Sequence, residues 1–253
     1  MHPSLNSSQN GPGRRWPKSG ANWPQVPVLH SQETENLPAH DRIYSSLRKM
    51  ILYNEIQPGS WLRQTEVSEQ FQVSRTPIRE AFRSLSQEGL VEIVPNHGVQ
   101  VSALSVEEFE EVYALRKGIE GLAARLVAQQ ISAEQVSALE AKLAALEGFV
   151  DSAELREYLR YEWQFRVDCY SLLGRDRLLA RILFLREHSE RYIYLAYGAK
   201  TKVAESFDFH RRLLGAIQRR NGDRAEVINQ EALEWTLNNA TPIVIDIVNQ
   251  SLD

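Results

Sequence analysis

The chain has 253 residues, 43% of them hydrophobic and 25% charged, with a formal net charge of -4. These figures exclude a disordered or fibrous polymer and predict two modest globular domains plus a tail. No apolar run reaches the roughly 18–20 residues that cross a bilayer, and the single cysteine, Cys169, permits no intrachain disulfide, so the expected compartment is the cytoplasm.

The charge is unevenly spread. Basic and acidic residues balance at seven each over residues 40–104 but stand at 19 against 24 beyond residue 104. Any contact with nucleic acid must therefore come from local clustering of arginines, not from a global field. Residues 1–39 are rich in Ser, Asn, Gly and Pro, lack the apolar centre of a secretory signal, and predict a disordered, solvated tail.

From Asp41 the pattern changes. Ile43, Leu47, Met50 and Ile51 fall at helical spacing and predict an amphipathic helix to about Tyr53, followed by a Pro58-Gly59 turn. A short helix follows over 65–71. A third starts at Ser74 as N-cap, holds Pro77 in its first turn, buries Ile78, Ala81, Phe82 and Leu85, and stops at Gly89. Two β-prone runs, 90–94 and 99–101, flank the turn Pro95-Asn96-His97-Gly98 and predict a hairpin.

Beyond Ser105 nothing reads as strand for long. Ser105 with Glu108 three residues later is a capping-box signature opening a helix to about residue 129, whose predicted buried face is Phe109, Val112, Leu115, Ile119, Leu122 and Leu126. Ser132 caps the next helix, and further helices are predicted over 153–173, 175–197, 202–220 and 223–238, with a short one over 241–250. The expected fold class is mainly α: a winged helix-turn-helix over 40–104, then an all-helical bundle over 105–253 for effector binding and dimerisation.

The stretch from Val73 to Ala81, VSRTPIREA, is the most informative. A helix beginning at Ser74 sets Arg75, Thr76 and Arg79 at its N-terminal end, off the apolar stripe. Helix-turn-helix readers insert that end into the major groove, where an arginine bonds guanine O6 and N7 together. Hydroxyls and the helix terminus suit phosphates, and the polar tip carrying His97 and Gly98 suits a wing lying close to the duplex. Lone arginines at a helix start are usually just solvated, but here they coincide with helix-turn-helix spacing, a wing and a Pro-Gly turn.

Residues 40–104 resemble the winged-helix domain of GntR-family regulators. The likeness is carried by Ile43-Tyr44 ahead of Leu47-Arg48, by Ile56-Gln57-Pro58-Gly59, by VSRTPIREA, by Glu88-Gly89-Leu90-Val91 and by Asn96-His97-Gly98. It implies a homodimer on an inverted repeat of double-stranded DNA, with Arg75 and Arg79 reading bases and Arg48, Thr76 and His97 on phosphates or in the minor groove. The helical half resembles the FadR-type effector domain (FCD) through Tyr113-Ala114-Leu115-Arg116 followed by Ile119-Glu120.

That second resemblance implies a ligand site, and here the sequence departs from its family. Many such domains hold a metal with an aspartate and a histidine four residues apart, then two later histidines. At the first two positions this chain has Glu162 and Arg166, at the third His210, and at the fourth Ala232 or Glu234 depending on register. A guanidinium stays protonated and cannot ligate, so no metal or other cofactor is expected, a metal-dependent variant being the alternative. The expected effector is a small organic acid held by Arg166 in place of the cation, assisted by Arg116, Glu162 and His210. The competing reading is an internal Arg166–Glu162 ion pair at i,i+4 spacing. Tyr192, Tyr194, Tyr197, Trp163 and Trp235 read either as pocket walls or as plain core.

No Walker loop, dinucleotide turn or nucleophile elbow occurs, so an enzyme is not expected. A winged helix used for protein contacts is the other alternative, and Arg75 and Arg79 on the reading face count against it. The chain thus reads as a DNA-binding regulator, a repressor in the first instance, modulated by a small molecule.

Overall fold

In the N-terminal half three helices and a three-stranded sheet enclose one apolar core. The computed structural model describes residues 38–95, 97–152, 154–197 and 200–250. Residues 1–37 of the expected tail, and Asn96 at the wing tip, lie outside the described residues. The three helices are α1 (Ala39–Leu52), α2 (Gln64–Phe71) and α3 (Arg75–Gln87). The buried faces of α1 and α3 are those the periodicity predicts, with Ile43, Leu47, Ile51, Ile78, Phe82 and Leu85 meeting in one core. Burying side chains of this size contributes about 1.5–3 kcal/mol each relative to leaving them in water.

Gly89 follows α3 at φ 72, and the amide of Leu90 closes back on the Leu85 carbonyl at 3.0 Å, the left-handed helix end that glycine favours. Strands β2 (Val91–Val94) and β3 (Gly98–Val101) form the predicted hairpin. A strand missed in the sequence, β1 (Trp61–Leu62), pairs antiparallel with the other edge of β3, giving the order β1-β3-β2. Two residues leave too short a run for alternation to show. Gly98 takes φ 119, a conformation side chains rarely adopt, and it starts β3 directly after the wing tip.

The C-terminal half is a bundle of α4 (Val106–Gln130), α5 (Ala133–Glu147), α6 (Leu155–Ser171), α7 (Asp176–Leu195), α8 (Lys200–Gln218) and α9 (Gly222–Gln250) around a separate core. Ser105 caps α4 by accepting from the Glu108 amide at 3.1 Å, and Ser132 with Gln135 completes a reciprocal capping box on α5.

Two expectations are corrected. First, the predicted break near residue 240 is absent, because α9 runs through Pro242 as one helix. Pro242 has no N–H to give to the Asn238 carbonyl, and in the turn before it Thr241 Oγ1 and Asn239 Nδ2 donate to the carbonyls of Leu237 and Trp235, each at 2.8 Å. Second, Leu115 and Leu122 do not face the core: they are 51% and 44% exposed. The inward stripe of α4 instead runs Phe109, Val112, Tyr113, Arg116, Glu120, Ala124 and Val127. A charged pair sits inside and leucines outside, the reverse of the usual amphipathic rule.

Candidate DNA-reading surface and buried polar network

Arg75, Arg79 and Arg83 recur every four residues along α3 and lie on one exposed face, which Arg83 joins although its sequence context did not single it out. Among the described residues none of the three is held in an ion pair. With Arg63 and the wing residues Pro95 and His97 they border an open groove of about 660 Å³. The short α2 is tied to the start of α3 by Gln64 Nε2, which donates to the Arg75 carbonyl at 3.1 Å, and by Ser68 Oγ, which donates to the Val73 carbonyl at 2.6 Å. Gln72 makes the corner between the helices at φ 53.

Ser74 stands at the N-cap with extended backbone, but its hydroxyl makes no capping bond, contrary to expectation; it and Thr76 are exposed beside the free amides of the first turn. His97 Nδ1 donates to the Pro95 carbonyl at 2.9 Å and so fixes the ring on the wing.

Arg48 is placed elsewhere. Expected near phosphates, it bonds Glu88 at 2.8 Å and Glu190 of α7 at 3.1 Å, so it joins the two halves of the chain. Tyr44 donates to the same Glu88. Around this pair Arg191 donates to the Ser102 carbonyl at 2.7 Å, Arg156 pairs with Glu55, and the rings of Tyr53 and Tyr194 meet edge-on at 5.0 Å. Helix α7 thus supplies Glu190, Arg191 and Tyr194 to the junction. Of the other aromatics, Tyr192 stacks on Phe109 and Tyr197 meets Trp235, so both belong to the core.

The four residues expected at the effector site are brought together, in one continuous buried network. Arg116 donates to Glu120 at 2.7 Å and to Ser189 Oγ at 3.0 Å. Arg166 donates to Glu162 at 2.5 Å, to Asn229 Oδ1 at 2.8 Å and to Glu120 at 3.3 Å. His210 Nε2 donates to Glu162 at 2.9 Å, and its Nδ1 to the Ser206 carbonyl at 2.8 Å. Tyr170 donates to Glu120 at 3.1 Å and receives Asn229 Nδ2 at 2.9 Å. Burial pushes the Glu162 carboxyl up, but Arg166, His210 and Arg186 outweigh it and hold it well below the usual carboxylate range.

Glu120, Tyr170 and Asn229 also belong to this network and were not expected in it. Glu120 lies four residues after Arg116, a signal present in the sequence, whereas Asn229 has none. Neither residue weighed for α9 takes part: Ala232 is buried but apolar, and Glu234 turns outward to pair with Lys117 at 2.5 Å. The donor set does not fit a metal. Glu162 and His210 bond each other, and the Arg166 guanidinium occupies the same carboxylate oxygen that a cation would need.

A helix-turn-helix with an arginine face and a β-wing, joined to a helical bundle that encloses a polar network, defines a transcriptional regulator with a ligand-binding domain. Residues 39–101 match the family model described as bacterial regulatory proteins, gntR family, and residues 111–234 match the FCD domain. The chain carries a GntR-type helix-turn-helix domain followed by an FCD domain. It is 28% identical over 199 residues to the HTH-type transcriptional repressor RspR of Escherichia coli (strain K12), covering 79% of this chain and 87% of that protein. It is also 28% identical over 194 residues to the HTH-type transcriptional regulator YdhC of Bacillus subtilis (strain 168), covering 75% and 85%. In fold it is similar to E. coli McbR/YncC, with a TM-score of 0.63 at 18% identity over 86% of this chain and 100% of the other. The likeness extends to a GntR transcriptional regulator from Rhodococcus sp. RHA1, with a TM-score of 0.62 at 19% identity over 82% and 97%. The protein is a DNA-binding transcriptional regulator with an effector-binding domain, and no described helix is long and apolar enough to cross a membrane.

Proposed function

We propose that the protein is a repressor that binds an inverted-repeat operator as a homodimer and whose DNA affinity is set by a small organic acid. The observation that carries the DNA-reading part is the unpaired arginine face of α3 beside the wing. In this reading Arg75 and Arg79 contact bases, with Arg83 beside them. Ser74, Thr76, His97 and Gly98 lie against the sugar-phosphate backbone or minor groove. Arg48 holds the reading head against α7 in the conformation seen here and turns to phosphate only if that junction opens. The domains divide at about residue 104, with Arg116, Glu162, Arg166 and His210 framing the effector site. Repression is the role named for the E. coli relative, and it follows physically if operator occupancy blocks a promoter.

The test is a binding series on duplex DNA from the protein's own upstream region. Affinity is expected to fall by about 10³-fold or more between 50 and 200 mM salt, because arginine contacts release counterions from phosphates. A salt-independent complex contradicts phosphate recognition and favours a winged helix used for protein contacts.

The exposed leucines of α4 support the dimer. Leu115 and Leu122 lie two turns apart on one face, and Gly118 between them has no neighbouring atom within 4 Å of a Cβ position. A contiguous exposed apolar face of this kind marks a protein contact, and a second copy of the chain is the occupant that supplies a second reading head. L115D is expected to yield monomers by sedimentation and to weaken operator binding by about 10²-fold or more through lost bivalency. A dimer that persists with full affinity refutes this interface.

A further inference from the structure

One buried guanidinium beside the polar network, Arg186, is in no ion pair among the described residues. In the layer between α4, α6 and α7 the buried arginines are Arg116, Arg166 and Arg186, and the buried carboxylates among the described residues are Glu120 and Glu162. Arg191, also buried on α7, turns away to the junction with Ser102. Glu120 and Glu162 are already engaged by Arg116 and Arg166. The domain interior therefore carries an excess of positive charge, and Arg186 is the member left over.

The Arg186 guanidinium lies over the Trp163 ring at 5.1 Å, and its Nη1 is buried with no hydrogen-bond partner. Two more buried donors, Tyr113 Oη and Tyr158 Oη, make no hydrogen bond of good geometry, Tyr158 Oη lying near a Ser206 hydroxyl that Tyr197 already engages. Both tyrosines border the polar network. The Arg116 guanidinium sits 4.9 Å from the Tyr113 ring centroid. Tyr158 packs against Tyr197, whose hydroxyl bonds Ser206, and the Ser206 carbonyl holds His210. Arg186 stands within electrostatic reach of the Tyr113 hydroxyl and of Glu162. A buried donor left unpaired costs about 1–3 kcal/mol, and a charged one more. A carboxylate answers all three, with two oxygens, several lone pairs and the missing negative charge.

We propose that Arg186 Nη1, Tyr113 Oη and Tyr158 Oη together receive the carboxylate of a small organic acid. The chain Arg116–Glu120–Arg166–Glu162–His210 forms the fixed frame behind it. This rests on the effector-domain reading above and refines it: Arg166 is saturated by protein groups, and Arg186 supplies the charge the ligand meets. Arg186 also shares α7 with Glu190, Arg191 and Tyr194, which grip the DNA-binding domain, so occupation bears directly on the element that joins the two domains.

The test uses the full chain, with calorimetric titration and thermal melting against acetate, succinate and benzoate. Benzamide serves as the uncharged analogue, and phosphate and sulfate as non-carboxylate anions. Saturable binding of at least one carboxylate, without matching effects of benzamide or the inorganic anions, is expected. R186Q should weaken it by about 10- to 100-fold, and Y113F and Y158F by roughly fivefold each. Without ligand the two Phe variants should melt no lower than wild type, since an unpaired hydroxyl contributes nothing to lose. The inference is overturned if no carboxylate binds, if sulfate or phosphate binds equally well, if the three variants bind as wild type does, or if the Phe variants are destabilised unliganded, the mark of hydroxyls held by water. Operator binding is measured on the same samples. Where it stays intact while carboxylates fail, only this inference falls; where it is absent, the regulator reading falls instead.

Discussion

Replacing Glu120 with alanine is expected to destabilise the protein by about 3–5 kcal/mol in urea unfolding, the cost of stripping a buried charge network of its shared acceptor. Glu120 is 0% exposed and accepts from Arg116, Arg166 and Tyr170, while its backbone carbonyl takes Asn229 Nδ2 at 2.7 Å. Truncation leaves three buried guanidiniums, Arg116, Arg166 and Arg186, with one buried carboxylate, Glu162, among the described residues. Water cannot reach to compensate, so the loss far exceeds that of a surface pair, which is worth at most about 1 kcal/mol. The unfolding midpoint should fall while its slope stays constant, because the surface exposed on unfolding is unchanged. A loss below about 1 kcal/mol would mean that the network contributes no more than a solvated pair.

The second large effect concerns recognition. R75A and R79A are each expected to lower specific operator binding by about 1–3 kcal/mol, the value of one bidentate arginine–guanine contact. Stability should hardly change, because both side chains are exposed and outside the core formed by Ile78, Ala81, Phe82 and Leu85. The discriminating feature is where the loss falls. A base contact loses preference at one position of each half-site, whereas a phosphate contact weakens all sequences alike. Anisotropy titrations with operator and scrambled duplexes separate the two, and an unchanged preference for operator would remove Arg75 and Arg79 from base reading.

The winged helix was largely legible because its signals are local. Pro77, Gly89 and the apolar spacing of α3 each act within a few residues, and the strands of the hairpin meet between Val94 and Gly98. What escaped was set by distant contacts. Arg48 is claimed by Glu190, which lies 142 residues further on, and nothing near Arg48 announces that partner. Helix α4 misled for a related reason. Apolar residues stand on two of its faces, so spacing alone cannot say which turns inward; the choice is made by Arg116 and Glu120, whose partners come from α6, α7 and α9. The effector residues were legible as a set because the family likeness aligned them. That Arg166 would be saturated, and Asn229 recruited, depends on how four helices close around them.

The most direct measurement is selection from a random pool of duplex DNA by the purified full-length protein, run in parallel with R75A. The wild type should enrich two copies of a short sequence in inverted orientation, and R75A should relax the same position in both copies. A pool that emerges without any shared sequence, or with one unpaired half-site bound as tightly as the repeat, would contradict a symmetric pair of arginine-faced helices reading the major groove.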